Sequence, residues 1–137
     1  MTILTAIDAG KGSESVISTG TELANGLDQE QVILHVVPND NDKDRGRSAV
    51  EKVMQDTFEE EELPTIKIVS EASIWEKDAS SDRVADQIID EAENADVNYV
   101  VLGSRKRSPS GKAILGSIAQ LVLIDTSTPV VIVEEIG

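Results

Sequence analysis

Five short runs of apolar, mostly β-branched residues recur along the chain. Runs of this length and composition predict β-strands. They show little alternation with polar residues, which is typical of a parallel sheet that is covered by helices on both faces. The predicted strands are Ile3 to Ile7, Val32 to Val37, Ile66 to Val69, Tyr99 to Leu102 and Val130 to Val133.

The segments between these runs carry apolar residues at helical spacing, so each predicts a helix. Polar caps, glycine and proline mark where the helices should begin and end. The predicted limits are a Ser13 cap and an end near Gly26 for the first helix, Arg47 to Glu61 for the second, a start at Ser80 or Ser81 for the third, and an end before Pro129 for the fourth.

Strict alternation of strands and helices predicts an α/β fold. The expected architecture is a five-stranded parallel doubly wound sheet of order 3-2-1-4-5, with helices on both faces. The length of 137 residues fits one domain, 1–137. Sheets of this kind bind ligands at the carboxyl ends of their strands, so any site is expected at that edge.

The formal net charge of −14 opposes binding to nucleic acid or to anionic lipid. The acidic excess fits a halophilic protein in a cell with molar internal salt, where the Debye length falls to about 3 Å. An ordinary acidic cytosolic protein is the alternative. The absence of cysteine excludes disulfides and thiol chemistry, and a single histidine, His35, excludes a His-rich metal site. We interpret His35 as a packed strand residue.

No stretch approaches the ~20 apolar residues that span a bilayer, and no basic segment precedes the first predicted strand. We therefore expect a cytoplasmic protein with no membrane partner. Basic residues nevertheless gather in the four loops at the predicted carboxyl edge, which favours an anionic ligand there. These residues are Lys11, Lys43, Arg45, Arg47, Lys77, Arg105, Lys106, Arg107 and Lys112.

The segment from Gly103 to Ser117 leaves the fourth predicted strand through a basic, turn-rich loop and enters the last helix. Glycines let the backbone approach phosphate oxygens, and the amides and dipole at a helix start favour negative charge. The segment is therefore a candidate phosphate cradle. The Gly10-Lys-Gly-Ser13 segment lacks the spacing of a P-loop, and no paired base and nucleophile is evident.

Gly103, Gly116 and Ser117 have the spacing of a motif, Gly-x2-Gly-x9-Gly-Ser/Thr, and the sequence resembles the universal stress protein family through it. The first, second and last predicted strands also resemble those of the family, including the aspartate, Asp8, that follows the first. The motif's second glycine is Lys106 here. A left-handed conformation at that position would cost lysine roughly 1–2 kcal/mol, whereas a charged contact with phosphate would contribute about 1.5–3 kcal/mol.

The resemblance implies an adenine nucleotide alpha hydrolase-like fold that binds ATP or a related adenine nucleotide, with Mg entering on the nucleotide. Asp8 would accept hydrogen bonds from the ribose hydroxyls, and Val36 would lie beside the adenine. Gly103, Gly116 and Ser117 would contact the phosphates, with Arg105 and Lys106 as further cationic candidates. For Asp8 a second interpretation, as a cap of the first helix, stays open.

The resemblance implies a stress-response binding module rather than a strong catalyst, with slow ATP hydrolysis at most. It also implies a homodimer that pairs fifth strands. An exposed apolar edge strand tends to pair with the edge strand of another chain. An unknown protein partner would recognise the nucleotide-bound form of the protein. The alternative, which Lys106 favours, is a dimeric interaction protein of the same fold that binds no nucleotide. A receiver domain and a flavodoxin-like carrier fit the sequence less well.

Overall fold

Five parallel strands form one sheet of order β3-β2-β1-β4-β5 in the computed structural model of the chain. The structure describes residues 1–55, 57, 64–71, 83–94, 96–104 and 115–134. The strands are β1 (Thr2–Ala6), β2 (Glu30–Val37), β3 (Thr65–Ser70), β4 (Val97–Ser104) and β5 (Val130–Glu134). The helices are α1 (Ser13–Leu27), α2 (Lys43–Gln55), α3 (Arg83–Ala92) and α4 (Ser117–Asp125), and a 3₁₀ turn (Asp40–Asp42) precedes α2.

The predicted fold class, strand order and number of strands are confirmed. The predicted cap of α1 and the predicted start of α2 are wrong, whereas α1 ends near Gly26 as predicted. Gly12 caps α1 in a left-handed conformation (φ 90°), and Ser13 is already the first helical residue. The helix ends at Leu27, and its C-cap residue Asp28 takes a left-handed conformation (φ 54°). The second helix begins at Lys43, four residues before Arg47.

The two faces of the sheet carry separate hydrophobic cores. The first face packs against α1 and α2, and its buried residues include Ile3, Ile17, Ile33 and Val50. The second face packs against α3 and α4 through a different set of buried residues, which includes Leu4, Leu34, Ile88, Val100 and Val122. Successive strand residues point to opposite faces, so each central strand contributes to both cores.

Glycines bring both helices of the first face close to the sheet. A side chain at Gly20 of α1 would place its Cβ 2.3 Å from the Thr5 hydroxyl oxygen, and one at Gly46 of α2 would place it 2.6 Å from a methyl carbon of Val37. Real Cβ atoms do not approach other atoms this closely. The close approach of α1 and α2 therefore depends on glycine at these two positions.

A buried polar network lies under α1 on this first face. The Gln31 side-chain amide donates to the Thr5 hydroxyl (3.0 Å) and to the Ile17 carbonyl (3.3 Å). The Thr21 hydroxyl lies 2.8 Å from Gln31 Oε1. Thr5 is fully buried and Gln31 is nearly so, and buried polar groups are stable only when they are paired in this way.

Candidate functional site

A cavity of about 300 Å³ opens at the carboxyl edge of the sheet, on the face covered by α3 and α4. Its walls come from the ends of β1, β2 and β4 and from the N-terminal halves of the two helices. The sheet changes winding direction between β1 and β4, and doubly wound sheets bind ligands at that point. The lining includes Asp8, Val36, Val84, Ile88, Gly103 and Gly116.

Asp8 follows β1 and lies exposed at the cavity. One carboxylate oxygen, Oδ1, accepts hydrogen bonds from the Gly10 amide (2.8 Å) and the Ser13 hydroxyl (3.2 Å). Neither bond uses the other oxygen, Oδ2. The carboxylate is thus oriented by its own loop and retains an acceptor for a ligand hydroxyl.

The loop between β1 and α1 is a tight turn that contains two left-handed residues. Ala9 has φ 63° and Gly12 has φ 90°. A left-handed alanine is costly, by about 1 kcal/mol or more, and such strain persists only where surrounding contacts impose it. Asp8 Oδ1 bonds Gly10 two residues on, and Gly12 caps α1 with no side-chain bond. The interpretation of Asp8 as the cap of α1 is therefore wrong, although the carboxylate does bind the first helical residue.

The start of α4 supplies backbone donors at the other side of the site. Gly116, buried and extended (φ −64°, ψ 156°), caps the helix without a side-chain hydrogen bond. The first bond along this helix runs from the Gln120 amide to the Gly116 carbonyl (3.0 Å), so the amides of residues 117 to 119 precede it. The Gln120 side chain donates to the Leu115 carbonyl (2.8 Å) and holds the incoming chain against the helix. Such a helix start favours an anion.

Apolar residues form much of the cavity lining. Val36 of β2 and Leu102 of β4 contribute from the sheet, while Val84 and Ile88 contribute from α3 and Ile118 from α4. The lining thus combines a carboxylate, the start of a helix and apolar side chains. This combination suits a ligand that has hydroxyl groups, an anionic group and a flat, weakly polar part.

The structure brings together four residues predicted from separate parts of the sequence, namely Asp8, Val36, Gly103 and Gly116. Ser117, also predicted, is the exposed first residue of α4 and is not part of the lining. Arg105 and Lys106 lie outside the described residues. So do three of the other basic residues predicted at this edge, Lys77, Arg107 and Lys112, whereas Lys11, Arg45 and Arg47 are exposed and Lys43 pairs with Asp40 (3.5 Å).

The start of the last helix was predicted at the site through Gly116 and Ser117, but the apolar side chains that α3 and α4 contribute to the cavity were not. Val84, Ile88 and Ala119 were expected as helix residues that pack on the sheet, and they line the cavity as well. Apolar spacing marks the inward face of a helix without indicating whether that face meets the sheet or a gap. Within the described ranges no helix is long and apolar enough to cross a bilayer, and no three acidic or histidine side chains cluster to hold a metal ion.

The sequence profile of the universal stress protein family matches residues 1–134. The chain belongs to the universal stress protein family. A universal stress protein from Archaeoglobus fulgidus has a similar structure, with a TM-score of 0.73 and 25% identity over 96% of this chain and 97% of that one. The family resemblance predicted from the Gly103 to Ser117 segment is thereby confirmed.

Two further universal stress protein structures share the fold at lower identity. One is in complex with cAMP (TM-score 0.65, 15% identity, 99% of this chain and 98% of that one). The other, from Archaeoglobus fulgidus, is in complex with dAMP (TM-score 0.67, 19% identity, 96% of each chain). No curated protein matches the chain significantly.

Proposed function

We propose that this universal stress protein binds ATP or a related adenine nucleotide in the cavity at the carboxyl edge of its sheet, and that it acts as a regulatory binding module. The observation that carries the proposal is the meeting of Asp8, Val36, Gly103 and Gly116 around one cavity. These residues lie up to about a hundred positions apart in the sequence, and the resemblance to the family had assigned all four to one nucleotide.

The chemistry of the walls supports an adenine nucleotide in particular. Asp8 Oδ2 suits a ribose hydroxyl, the apolar residues around Val36 suit the base, and the start of α4 suits a phosphate. A volume of about 300 Å³ lies at the lower end of the range for small-molecule sites. The complexes of two structural relatives with cAMP and dAMP add support from proteins of the same fold.

Mass spectrometry of ligand released from the purified protein, followed by titration calorimetry with ATP and AMP in molar KCl, tests the proposal. We expect an adenine nucleotide to co-purify or to bind with measurable heat. Nucleotide-free protein that gives no heat with either compound would contradict the proposal and favour the alternative, a dimeric interaction protein that binds no nucleotide.

Asp8→Asn tests the assignment of the ribose. We expect the variant to bind AMP about tenfold more weakly, because a charged acceptor of a hydrogen bond contributes about 1.5–3 kcal/mol. Asp125→Asn, at the far end of α4, is the matched control because it changes the net charge equally. Equal affinities of the two variants would show that Asp8 does not contact the ligand.

A substitution at Lys106 distinguishes nucleotide binding from the alternative function, a dimeric interaction protein that binds no nucleotide. Lys106 occupies the position of the motif's second glycine, so Lys106→Gly restores the motif. Tighter ATP binding by this variant would indicate a nucleotide site weakened by lysine, and weaker binding would indicate that lysine contacts phosphate. No ATP binding by either protein supports the alternative function.

We also propose that the protein is a homodimer that pairs its fifth strands. β5 is an edge strand whose residues Val130 to Val133 are all half-exposed and apolar, and bare edges of this kind associate. Val131→Lys should halve the mass measured by light scattering. Ile66→Lys, on the opposite edge strand, controls for general destabilisation and should leave the dimer intact. An unchanged mass for Val131→Lys, with a folded spectrum, would contradict the proposal.

A further inference from the structure

His35 makes a hydrogen bond that links β2 to the end of β1. Its Nδ1 lies 3.0 Å from the carbonyl oxygen of Ile7. A carbonyl oxygen only accepts, so Nδ1 carries the hydrogen and donates it. His35 is also part of the cavity lining, so this bond lies beside the candidate ligand site.

Ile7 is the residue at which β1 leaves the sheet. Its amide donates to the Leu34 carbonyl (3.0 Å), and its own carbonyl receives the imidazole of His35. Both polar backbone atoms of this buried residue are therefore held by consecutive residues of β2. The next residues are Asp8 and Ala9, which has a left-handed conformation, so the chain turns away immediately after this anchor.

The imidazole ring is confined from the side of α2. A Cβ added at Gly46 would lie 3.2 Å from Cδ2 of His35, so the helix backbone packs closely over the ring. This contact restricts the ring on the side that faces α2. The donor at Nδ1 is therefore held in place by packing as well as by the hydrogen bond.

We infer that His35 is a positioning residue for Asp8: by holding the Ile7 carbonyl, it fixes where β1 ends and the direction in which the Asp8 carboxylate meets a ligand. Asp8 is then held from two sides, by Ile7 before it and by Gly10 and Ser13 after it. The inference deepens the proposed function and rests on it, because the ligand group it concerns is the ribose diol of a nucleotide.

The test compares His35→Leu with His35→Asn. Asparagine places an amide donor near the position of Nδ1, while leucine has a similar size and no donor. In the free protein, we expect His35→Leu to shift the NMR signals of the Gly10 and Ser13 amides, and His35→Asn to restore them. With ligand, we expect His35→Leu to weaken AMP binding about tenfold and 2′,3′-dideoxy-AMP binding by no more than about twofold.

If His35→Leu does not fold, a second measurement, made on the wild-type protein, still tests the inference. The ¹⁵N spectrum of the wild-type imidazole must show a hydrogen on Nδ1, and an unprotonated Nδ1 would overturn the inference. The inference would also be overturned if the Gly10 and Ser13 amide signals did not move in His35→Leu, or if His35→Asn did not restore those signals. Equal weakening of AMP and 2′,3′-dideoxy-AMP binding would overturn it as well. If the wild-type protein binds no nucleotide, the proposed function fails, and the amide signals alone then decide the role of His35.

Discussion

The two faces of the sheet differ in how closely their helices approach it. On the first face, Gly20 and Gly46 let α1 and α2 lie so near the strands that an added Cβ would overlap a strand side chain. On the second face, α3 and α4 approach the strands through Ala85, Ala92 and Ala119 and leave a cavity of about 300 Å³ at the strand ends. We call the face covered by α1 and α2 the sealed face and the face covered by α3 and α4 the open face.

The difference indicates that one face mainly stabilises the fold and the other mainly forms the candidate ligand site. The sealed face contains the buried, hydrogen-bonded side chains of Thr5 and Gln31. The open face contains most of the apolar residues that line the candidate site. Substitutions that add volume should therefore reduce stability on one face and ligand binding on the other.

The largest effect is expected from Gly20→Ala. The added methyl would lie 2.3 Å from the Thr5 hydroxyl oxygen and 2.7 Å from the Gln31 amide nitrogen. We expect a loss of about 2–4 kcal/mol in the free energy of unfolding, from overpacking and from the disrupted hydrogen bond. Gly26→Ala, in the same helix, meets nothing within 4 Å and should stabilise by about 0.5–1 kcal/mol. Urea denaturation measures both, and equal effects would show that α1 is not closely packed.

Matched phenylalanine substitutions compare the faces directly. Val50→Phe adds volume to the fully buried core of the sealed face and should cost about 1–3 kcal/mol. Val84→Phe extends into the cavity and should cost less than about 1 kcal/mol while it weakens AMP binding at least about tenfold. Thermal unfolding and calorimetry measure these changes. Similar losses of stability in both variants would remove the distinction between a sealed and an open face.

The smallest effect is expected from salt, which acts on the acidic surface rather than on either core. With a net charge of −14, the folded chain repels itself, and salt screens that repulsion. Raising KCl from about 0.1 to about 2 M should raise the free energy of unfolding by about 1 kcal/mol and Tm by about 4 °C. Lys67→Met removes the ion pair with Glu91 (2.8 Å) on the open face and should steepen this dependence. A flat salt profile would contradict the halophilic interpretation.

The fold was predictable because its strands are continuous apolar runs, and because an alternating order of strands and helices allows few topologies. The start of α2 was not predictable in the same way. Residues 43 to 47 contain no apolar side chain, so no helical periodicity marks them. Their inward position is Gly46, which packs against Val37 and His35, and a glycine in a polar stretch is more typical of a turn.

The site was predictable to the extent that it lies at strand ends. Asp8, Val36 and Gly103 lie at or just after the ends of predicted strands, and parallel strands bring those ends to one edge. The role of His35 was not predictable, because a polar residue inside a strand shows no partner in the sequence. Its partner is a backbone carbonyl 28 residues away, which only the register of β1 with β2 brings near.

The hydrogen bond between Gln31 and Thr5 has a consequence for how the chain chooses its strand pairing during folding. A slip of two residues between β1 and β2 would keep every side chain on its own face, so the apolar pattern alone does not oppose it. A slip that pairs Thr5 with His35 instead of Ile33 would separate Gln31 from Thr5 and leave the buried Thr5 hydroxyl without this partner, at a cost of about 1–3 kcal/mol. These two polar side chains thus discriminate against a misaligned sheet that the apolar residues would tolerate.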